Sequence, residues 1–135
     1  MNSSSVDIAD LLESESSLGL TVNTNLFIGK EPATPINCVT VFDTPGSAPQ
    51  INLGGKSDSN IFFPSIQIRV RNSRYLDGFD LMNRIQWFLH ANINEIVNST
   101  LYQLIKCVQE PFLLDWDEKD RARFVCNFNI TRKEA

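Results

Sequence analysis

Polar and apolar residues alternate in several short segments of the chain, while apolar residues recur every three or four positions in two others. Alternation is typical of half-buried strands, whereas the longer spacing is typical of amphipathic helices. The predicted strands cover residues 20–30, 36–43, 62–72, 100–109 and 121–133. A short N-terminal helix is predicted to follow Ser5, and a long one to cover residues 75–92.

The order of these elements predicts the fold class. Strands joined by turn residues favour an antiparallel sheet, with helices gathered on one face. Residues 110–120 read as a linking segment and turn. We therefore expect one α+β domain over residues 1–135, with a mainly antiparallel four- to five-stranded sheet. The N-terminal helix and the long amphipathic helix are expected on one face of that sheet.

Residues 43–60 are dense in Pro, Gly, Ser, Asp and Asn, and this composition predicts a long flexible loop. The loop contains QINLGGKS, in which Gly55, Lys56 and Ser57 match the end of a phosphate-binding loop. Gln50 stands where the first glycine belongs, and a strand follows instead of the helix whose amides would face the phosphates. A small nucleotide-binding protein or enzyme is therefore the less favoured alternative.

Charge and composition narrow the set of partners. The net charge is −4, from 12 basic and 16 acidic residues. A protein that neutralises a run of DNA phosphates needs clustered Lys and Arg instead. The N-terminus lacks the pattern of a secretory signal, and nowhere do about 18 apolar residues run together. We expect synthesis in the host cytoplasm and no membrane partner.

Residues for catalysis or metal binding are sparse. The only histidine, His90, stands at the end of a predicted helix and has no nucleophile near it in sequence. A calcium loop beginning at Asp115 would need Gly and Glu where Asp120 and Cys126 stand. The three cysteines, widely spaced, fit buried free thiols better than a disulfide framework or zinc site. The sequence predicts no enzyme activity, no cofactor and no bound metal.

Arginines recur at alternate positions of two predicted strands. Arginine is enriched at protein interfaces because its planar fork binds carboxylates bidentately, and a long loop can lie across a neighbouring subunit. A solvated sheet face with isolated ion pairs is the alternative. The residues predicted to contact another subunit or a tube are Gln50, Ile51, Asn52, Leu53, Lys56, Arg69, Arg71, Arg74, Arg121 and Arg123.

Two segments, PSIQIRVRNSRY followed by a helix and TLYQLIKCVQEPFLLDWDEKDRARFVCNFNITR, together resemble the tail terminator and minor capsid proteins of long-tailed bacteriophages. The matching positions are Ile66, Ile68, Arg69, Val70, Arg71, Tyr75, Asp117, Arg121, Phe124, Asn127, Phe128 and Ile130. With the N-terminal helix, the resemblance spans most of the chain.

The resemblance implies a virion structural protein of the tail or neck. Such a protein would form a homohexameric ring that caps the completed tail tube, stops its polymerisation and offers a docking surface for the head. Its implied partners are the tail tube protein and a head-completion or neck protein. DNA would pass through the ring without specific binding. Another neck component, a head-closure or adaptor ring, is the alternative within this class.

Overall fold

The computed structural model describes residues 1–51 and 60–135. Asn52, Leu53 and Lys56, three of the predicted contact residues, lie outside the described residues. So does most of the QINLGGKS segment. The helices are α1 (Ser4–Ser14) and α2 (Tyr75–Leu89), with a single 3-10 turn at Ser16–Leu18. The strands are β1 (Leu26–Ile28), β2 (Cys38–Gln50), β3 (Ile61–Asn72), β4 (Asn92–Val97), β5 (Thr100–Cys107), β6 (Phe112–Trp116) and β7 (Ala122–Glu134).

The described strands form one mixed sheet in the order β1-β2-β3-β7-β5-β4. One edge of β7 is shared, because β6 pairs with its first part and β5 with its second. The β1–β2 pair is parallel and the others are antiparallel. The α+β class is confirmed, but the sheet has seven strands rather than four or five and is not wholly antiparallel.

The strands missing from the prediction are β4 and β6, and both lie where the sheet leaves one side unpaired. An edge strand buries less of its surface than a central one, so its sequence carries a weaker alternation. In β6 the exposed residues Phe112, Leu114 and Trp116 are apolar, so the sequence does not alternate although the burial does. Residues 110–120 are therefore mostly a hairpin rather than a linker.

The prediction for residues 20–30 is correct only at Leu26–Ile28. Before that strand the chain turns, because the Asn25 side chain accepts a hydrogen bond from Thr21 N at 2.7 Å. Asn23 lies in the left-handed region at φ 68°. Asparagine often satisfies nearby backbone groups in this way, and such bonds compete with strand pairing.

Residues 43–50 were predicted to belong to the long loop, but they continue β2 and pair with β3. The register shifts twice in this part of the hairpin, on either side of Ser47. Gly46 permits this close pairing, since a Cβ there would lie 2.2 Å from the carbonyl oxygen of Phe63. The hydrogen bonds that β3 supplies thus outweigh the turn-forming composition of the segment.

Both helices pack on the same face of the sheet, as expected. The alternation predicted for the long strands is confirmed, because Ile68 of β3 lies opposite Cys126 of β7 and both are fully buried. Helix α2 ends three residues earlier than predicted, and Ala91 follows at φ 60°. No helix within the described ranges is long and apolar enough to span a membrane.

Candidate functional site and assembly surfaces

Three of the predicted arginines, Arg69, Arg71 and Arg123, lie on the sheet face opposite the helices, where they share carboxylates of the same chain. Glu31 contacts Arg123 at 3.1 Å, Arg71 at 3.4 Å and Arg69 at 4.0 Å. Arg123 also binds Asp115 through two nitrogens, at 2.6 and 2.5 Å. We call these five residues the arginine network. The forks of Arg71 and Arg123 are therefore already engaged within the chain.

Arg71 has a structural position, because its side chain is only 2% exposed. It donates hydrogen bonds to the carbonyl oxygens of Pro32 and Pro35 at 2.6 Å and of Ile36 at 3.1 Å. These bonds fasten the segment between β1 and β2 to the sheet. Arg71 therefore does not lie on a solvated sheet face, which was the alternative to a subunit contact, because the segment covers it.

Arg121 is similarly enclosed at the acidic turn before β7. It binds Asp117 at 2.6 Å and donates to the Ala33 carbonyl at 2.9 Å. Asp117 also accepts from the backbone N–H groups of Lys119 and Arg121, both at 2.9 Å. This confirms the turn that the sequence predicted here. Within residues 1–51 and 60–135, no group of three or more His, Cys, Asp or Glu could hold a metal ion.

Two aspartates that pair with arginines have lowered pKa values, Asp115 of the network and Asp117 of the acidic turn. Hydrogen bonds from Arg123 lower the pKa of Asp115, and the same pair raises the pKa of Arg123. Burial opposes ionisation of Asp117, but hydrogen bonds from Arg121 and Lys119 outweigh it and lower the pKa of Asp117. The pairs Asp115–Arg123 and Asp117–Arg121 therefore stay ionised to a lower pH than they would with ordinary aspartates.

The other predicted contact residues that the structure describes are open to solvent. Arg74, just before α2, has an 81% exposed side chain and lies 3.6 Å from Asp77. Gln50 and Ile51 are exposed at the far end of β2. Since Cys38 pairs with Arg71, Gln50 is twelve residues away along the strand, or roughly 40 Å at about 3.3 Å per residue. The structure does not bring Gln50 and Ile51 together with the arginines.

An exposed apolar surface lies where the start of α2 meets β6. Tyr75 stacks on Trp116, with ring centroids 6.2 Å apart, and Tyr75 and Phe79 both contact the buried Phe124 ring. Leu76, beside them, is 77% exposed and Trp116 is 49% exposed. We call Tyr75, Leu76, Phe79 and Trp116 the aromatic patch. Large aromatic side chains held this way are typical of protein contacts.

A second apolar surface lies on the β4–β5 hairpin. Ile93 pairs with Leu104, and Ile96 pairs with Leu101. Ile93 and Ile96 are 61% and 65% exposed. We call these four residues the isoleucine patch.

Both pairs of the isoleucine patch face the side away from the helices. Tyr102 and Ile105 are both fully buried in the core although they are three residues apart. A register shift between Tyr102 and Leu104 makes this possible. The side chains of their neighbours, Leu101 and Leu104, therefore share the outer face. Sequence reasoning missed this patch because Ile93 and Ile96 do not follow a two-residue period.

The two patches lie far apart along β7. Trp116 of the aromatic patch pairs with Ala122, whereas Leu101 of the isoleucine patch pairs with Lys133. Eleven residues separate these partners, or about 36 Å at about 3.3 Å per residue of strand. The chain therefore presents separate apolar surfaces near opposite ends of its central strand.

The structure shows what surrounds the single histidine and the three cysteines. His90 follows the end of α2, and its Nδ1 accepts a hydrogen bond from the backbone N–H of Cys107 at 3.1 Å. Cys38 and Cys126 are buried and Cys107 is half-buried, and all three are free thiols, as predicted. Burial raises the pKa of Cys38, which keeps it a neutral thiol.

Comparison with known proteins gave a family match and a similar solved structure. A family model described as bacteriophage tail terminator protein matches residues 8–134. A search of curated proteins gave no match. Among solved structures, the chain is similar to one from the virion of a native gene transfer agent particle, with a TM-score of 0.65 and 11% identity. That alignment covers 96% of this chain and 94% of the other, and at this identity it shows a shared fold alone.

Proposed function

The chain belongs to the bacteriophage tail terminator protein family and is a structural protein of the virion, and we propose that it acts as a ring that caps the completed tail tube. In this proposal, the ring stops further polymerisation of the tube protein and offers a docking surface to a head-completion or neck protein. A homohexamer is the proposed ring. The observation that carries the proposal is the family match, which extends over nearly the whole chain.

The positions of the apolar patches support ring formation. A closed ring needs a heterologous contact, in which one surface of each subunit meets a different surface of the next. The aromatic and isoleucine patches are two such surfaces, separated by most of the length of β7. We propose that the isoleucine patch of one subunit packs against the aromatic patch of its neighbour.

The residues that the sequence predicted as contacts have different roles in this proposal. Arg71 and Arg121 shape the subunit from within, because their partners belong to their own chain. Arg69 and Arg123 are half-buried, each with a side chain 23% exposed, and they can add polar contacts at a rim. Gln50, Ile51 and Arg74 are exposed and are proposed to contact a subunit or the tube. For Asn52, Leu53 and Lys56 the same role rests on the sequence alone.

The proposed ring surrounds the path of the DNA. A net charge of −4 suits a channel that DNA passes without being held, because a wall rich in Lys and Arg would bind phosphates. The proposal involves no cofactor and no reaction. The family to which the chain belongs is structural, which supports this reading.

The mass of the purified protein tests the ring, measured by light scattering alone and after mixing with isolated tail tubes. A discrete species of about six subunits, free or bound at tube ends, supports the proposal. A protein that stays monomeric in both conditions and leaves tube ends extendable contradicts it.

A shortened variant tests whether the predicted loop contributes. Deleting part of residues 43–60 is expected to reduce ring formation while leaving the circular dichroism spectrum nearly unchanged. Because residues 43–50 belong to β2, the deletion should be confined to residues 52–59. A ring of normal mass in this variant would remove the segment from the contact.

A further inference from the structure

Two cysteines from adjacent strands lie side by side in the structure. The Sγ atoms of Cys107 on β5 and Cys126 on β7 are 3.4 Å apart. Cys107 pairs directly with Phe128, and Cys126 is two residues from Phe128, so both cysteine side chains leave the same face of the sheet. The contact therefore follows from strand register.

The groups around the sulfurs hold them together. The carbonyl oxygen of Gln109 accepts from both thiols, at 2.7 Å from Cys107 and 3.3 Å from Cys126. Gln86 of α2 also donates to the Cys107 sulfur at 3.3 Å. Neither thiol can move far from the other without losing the shared acceptor.

We propose that Cys107 and Cys126 form an intrachain disulfide once the virion leaves the reducing cytoplasm. Disulfides persist in oxidising surroundings, including virion surfaces, and are rare where thiols are kept reduced. Forming the bond requires the sulfurs to approach from 3.4 Å to about 2.05 Å. This inference rests on the virion location and is independent of the proposed ring contact.

The solvent exposure of the two thiols sets the order of the oxidation steps. Cys107 is half-buried, whereas Cys126 is fully buried, so a small disulfide such as oxidised glutathione reaches Cys107 first. The Cys107 thiolate attacks one sulfur of that reagent, forms a mixed disulfide and releases one small thiolate.

The second step closes the protein disulfide. Cys126 loses its proton and attacks the Cys107 sulfur, which expels the second small molecule as a thiolate. The two small thiolates take up the two protons that Cys107 and Cys126 have released. The two cysteines are oxidised together by two electrons, and the reagent is reduced to two thiols. Burial, and then the hydrogen bond with Cys107, raise the pKa of Cys126, so Cys126 is the poorer thiol for the first attack.

The bond would close a loop containing the β6 hairpin. This loop carries Trp116 of the aromatic patch, together with Arg121 and Arg123. A disulfide removes conformational freedom from the unfolded chain and so stabilises the folded one. Oxidation would therefore stiffen a proposed contact surface after assembly.

The test uses the full-length protein, reduced and then incubated with oxidised glutathione. The expected product is an intact chain lighter by two hydrogens, with one peptide cross-link joining Cys107 to Cys126. Its melting temperature is expected to rise by about 5–15 °C. The Cys38→Ser variant should behave like the wild type, whereas Cys107→Ser should not form the bond.

Alkylation of the wild-type protein gives a test that does not depend on whether the cysteine variants fold. After oxidation and unfolding in denaturant, Cys107 and Cys126 should both resist alkylation until a reductant is added. If both remain alkylatable, if a stable mixed disulfide accumulates at Cys107, or if the bonds join separate chains, the proposal is wrong.

Discussion

Truncating the exposed isoleucines of the β4–β5 hairpin tests the proposed subunit contact most directly. The change is Ile93→Ala with Ile96→Ala. These side chains are 61% and 65% exposed, so the subunit itself gains little from them and should fold normally. Substitutions at exposed positions usually change folding stability by no more than about 0.5 kcal/mol.

The size of the effect follows from the exposed area. Burying a whole isoleucine side chain is worth about 1.5–3 kcal/mol. Each of these residues still exposes about three-fifths of its surface, and alanine retains only the β-carbon. We expect a loss of about 1–1.5 kcal/mol per residue if a neighbour covers both. The dissociation constant of the contact should rise about 30- to 150-fold, since each 1.4 kcal/mol is about tenfold.

The assay is sedimentation velocity over a range of concentrations, with and without tail tubes. Ile36→Ala is the matched control, because Ile36 is 56% exposed and belongs to neither patch. The control should assemble like the wild type. Circular dichroism and urea unfolding of each variant establish that the subunit is folded.

A second substitution decides whether the two patches meet. Leu76→Ala, in the aromatic patch, should weaken assembly as well. Combining it with the isoleucine changes should cost less than the sum of the separate effects, because residues in contact are not additive. Rings of unchanged affinity in the isoleucine variant would refute the contact, and strict additivity would refute the pairing of the patches.

Three further predictions concern the folded subunit. In Gly78→Ala a Cβ would lie 3.0 Å from Asn72 Cβ and from the Phe124 ring. The overpacking should cost about 1–3 kcal/mol, which exceeds the gain of about 1 kcal/mol in helix propensity, so the subunit should be less stable. A raised midpoint of urea unfolding would contradict this. Arg71→Met should destabilise the fold, because the carbonyls of Pro32, Pro35 and Ile36 lose their donor, at about 1–3 kcal/mol for each that stays unpaired and buried. Glu31 keeps its contact with Arg123, and thermal unfolding measures the loss. The pKa of Asp115 is lower in the folded state, so its contribution to stability is present above about pH 4 and is lost as the pH falls further. Asp115→Asn should therefore weaken the fall in unfolding free energy below about pH 4. An unchanged fall would refute the contribution assigned to Asp115.

The prediction for Arg71 differs from what its strand pattern suggests. Alternation alone places Arg69 and Arg71 on an outward face, where charge reversal should disturb assembly more than folding. In the structure Arg71 is enclosed by the segment that follows β1. Folding should therefore be affected first at Arg71, whereas Arg74 offers a cleaner test of an exposed arginine.

Periodicity alone determined the long elements of this protein. Helix α2 and strands β3 and β7 each bury a regular stripe of apolar residues. The spacing of such a stripe is visible within the element's own sequence. The α+β class, the helices on one face and the free cysteines follow from such local signals. The resemblance to tail terminators likewise rested on strand and turn patterns, and the family match confirms it.

Only the tertiary structure decided what lies at the edges of the sheet. Strand pairing made residues 43–50 part of β2 and made β6 from an apparent linker, because hydrogen bonds from the neighbouring strand outweigh local propensity. It also set Glu31 among three arginines and brought Cys107 beside Cys126. These contacts join residues 19 or more positions apart, and their register depends on the whole sheet, which no short window of sequence contains.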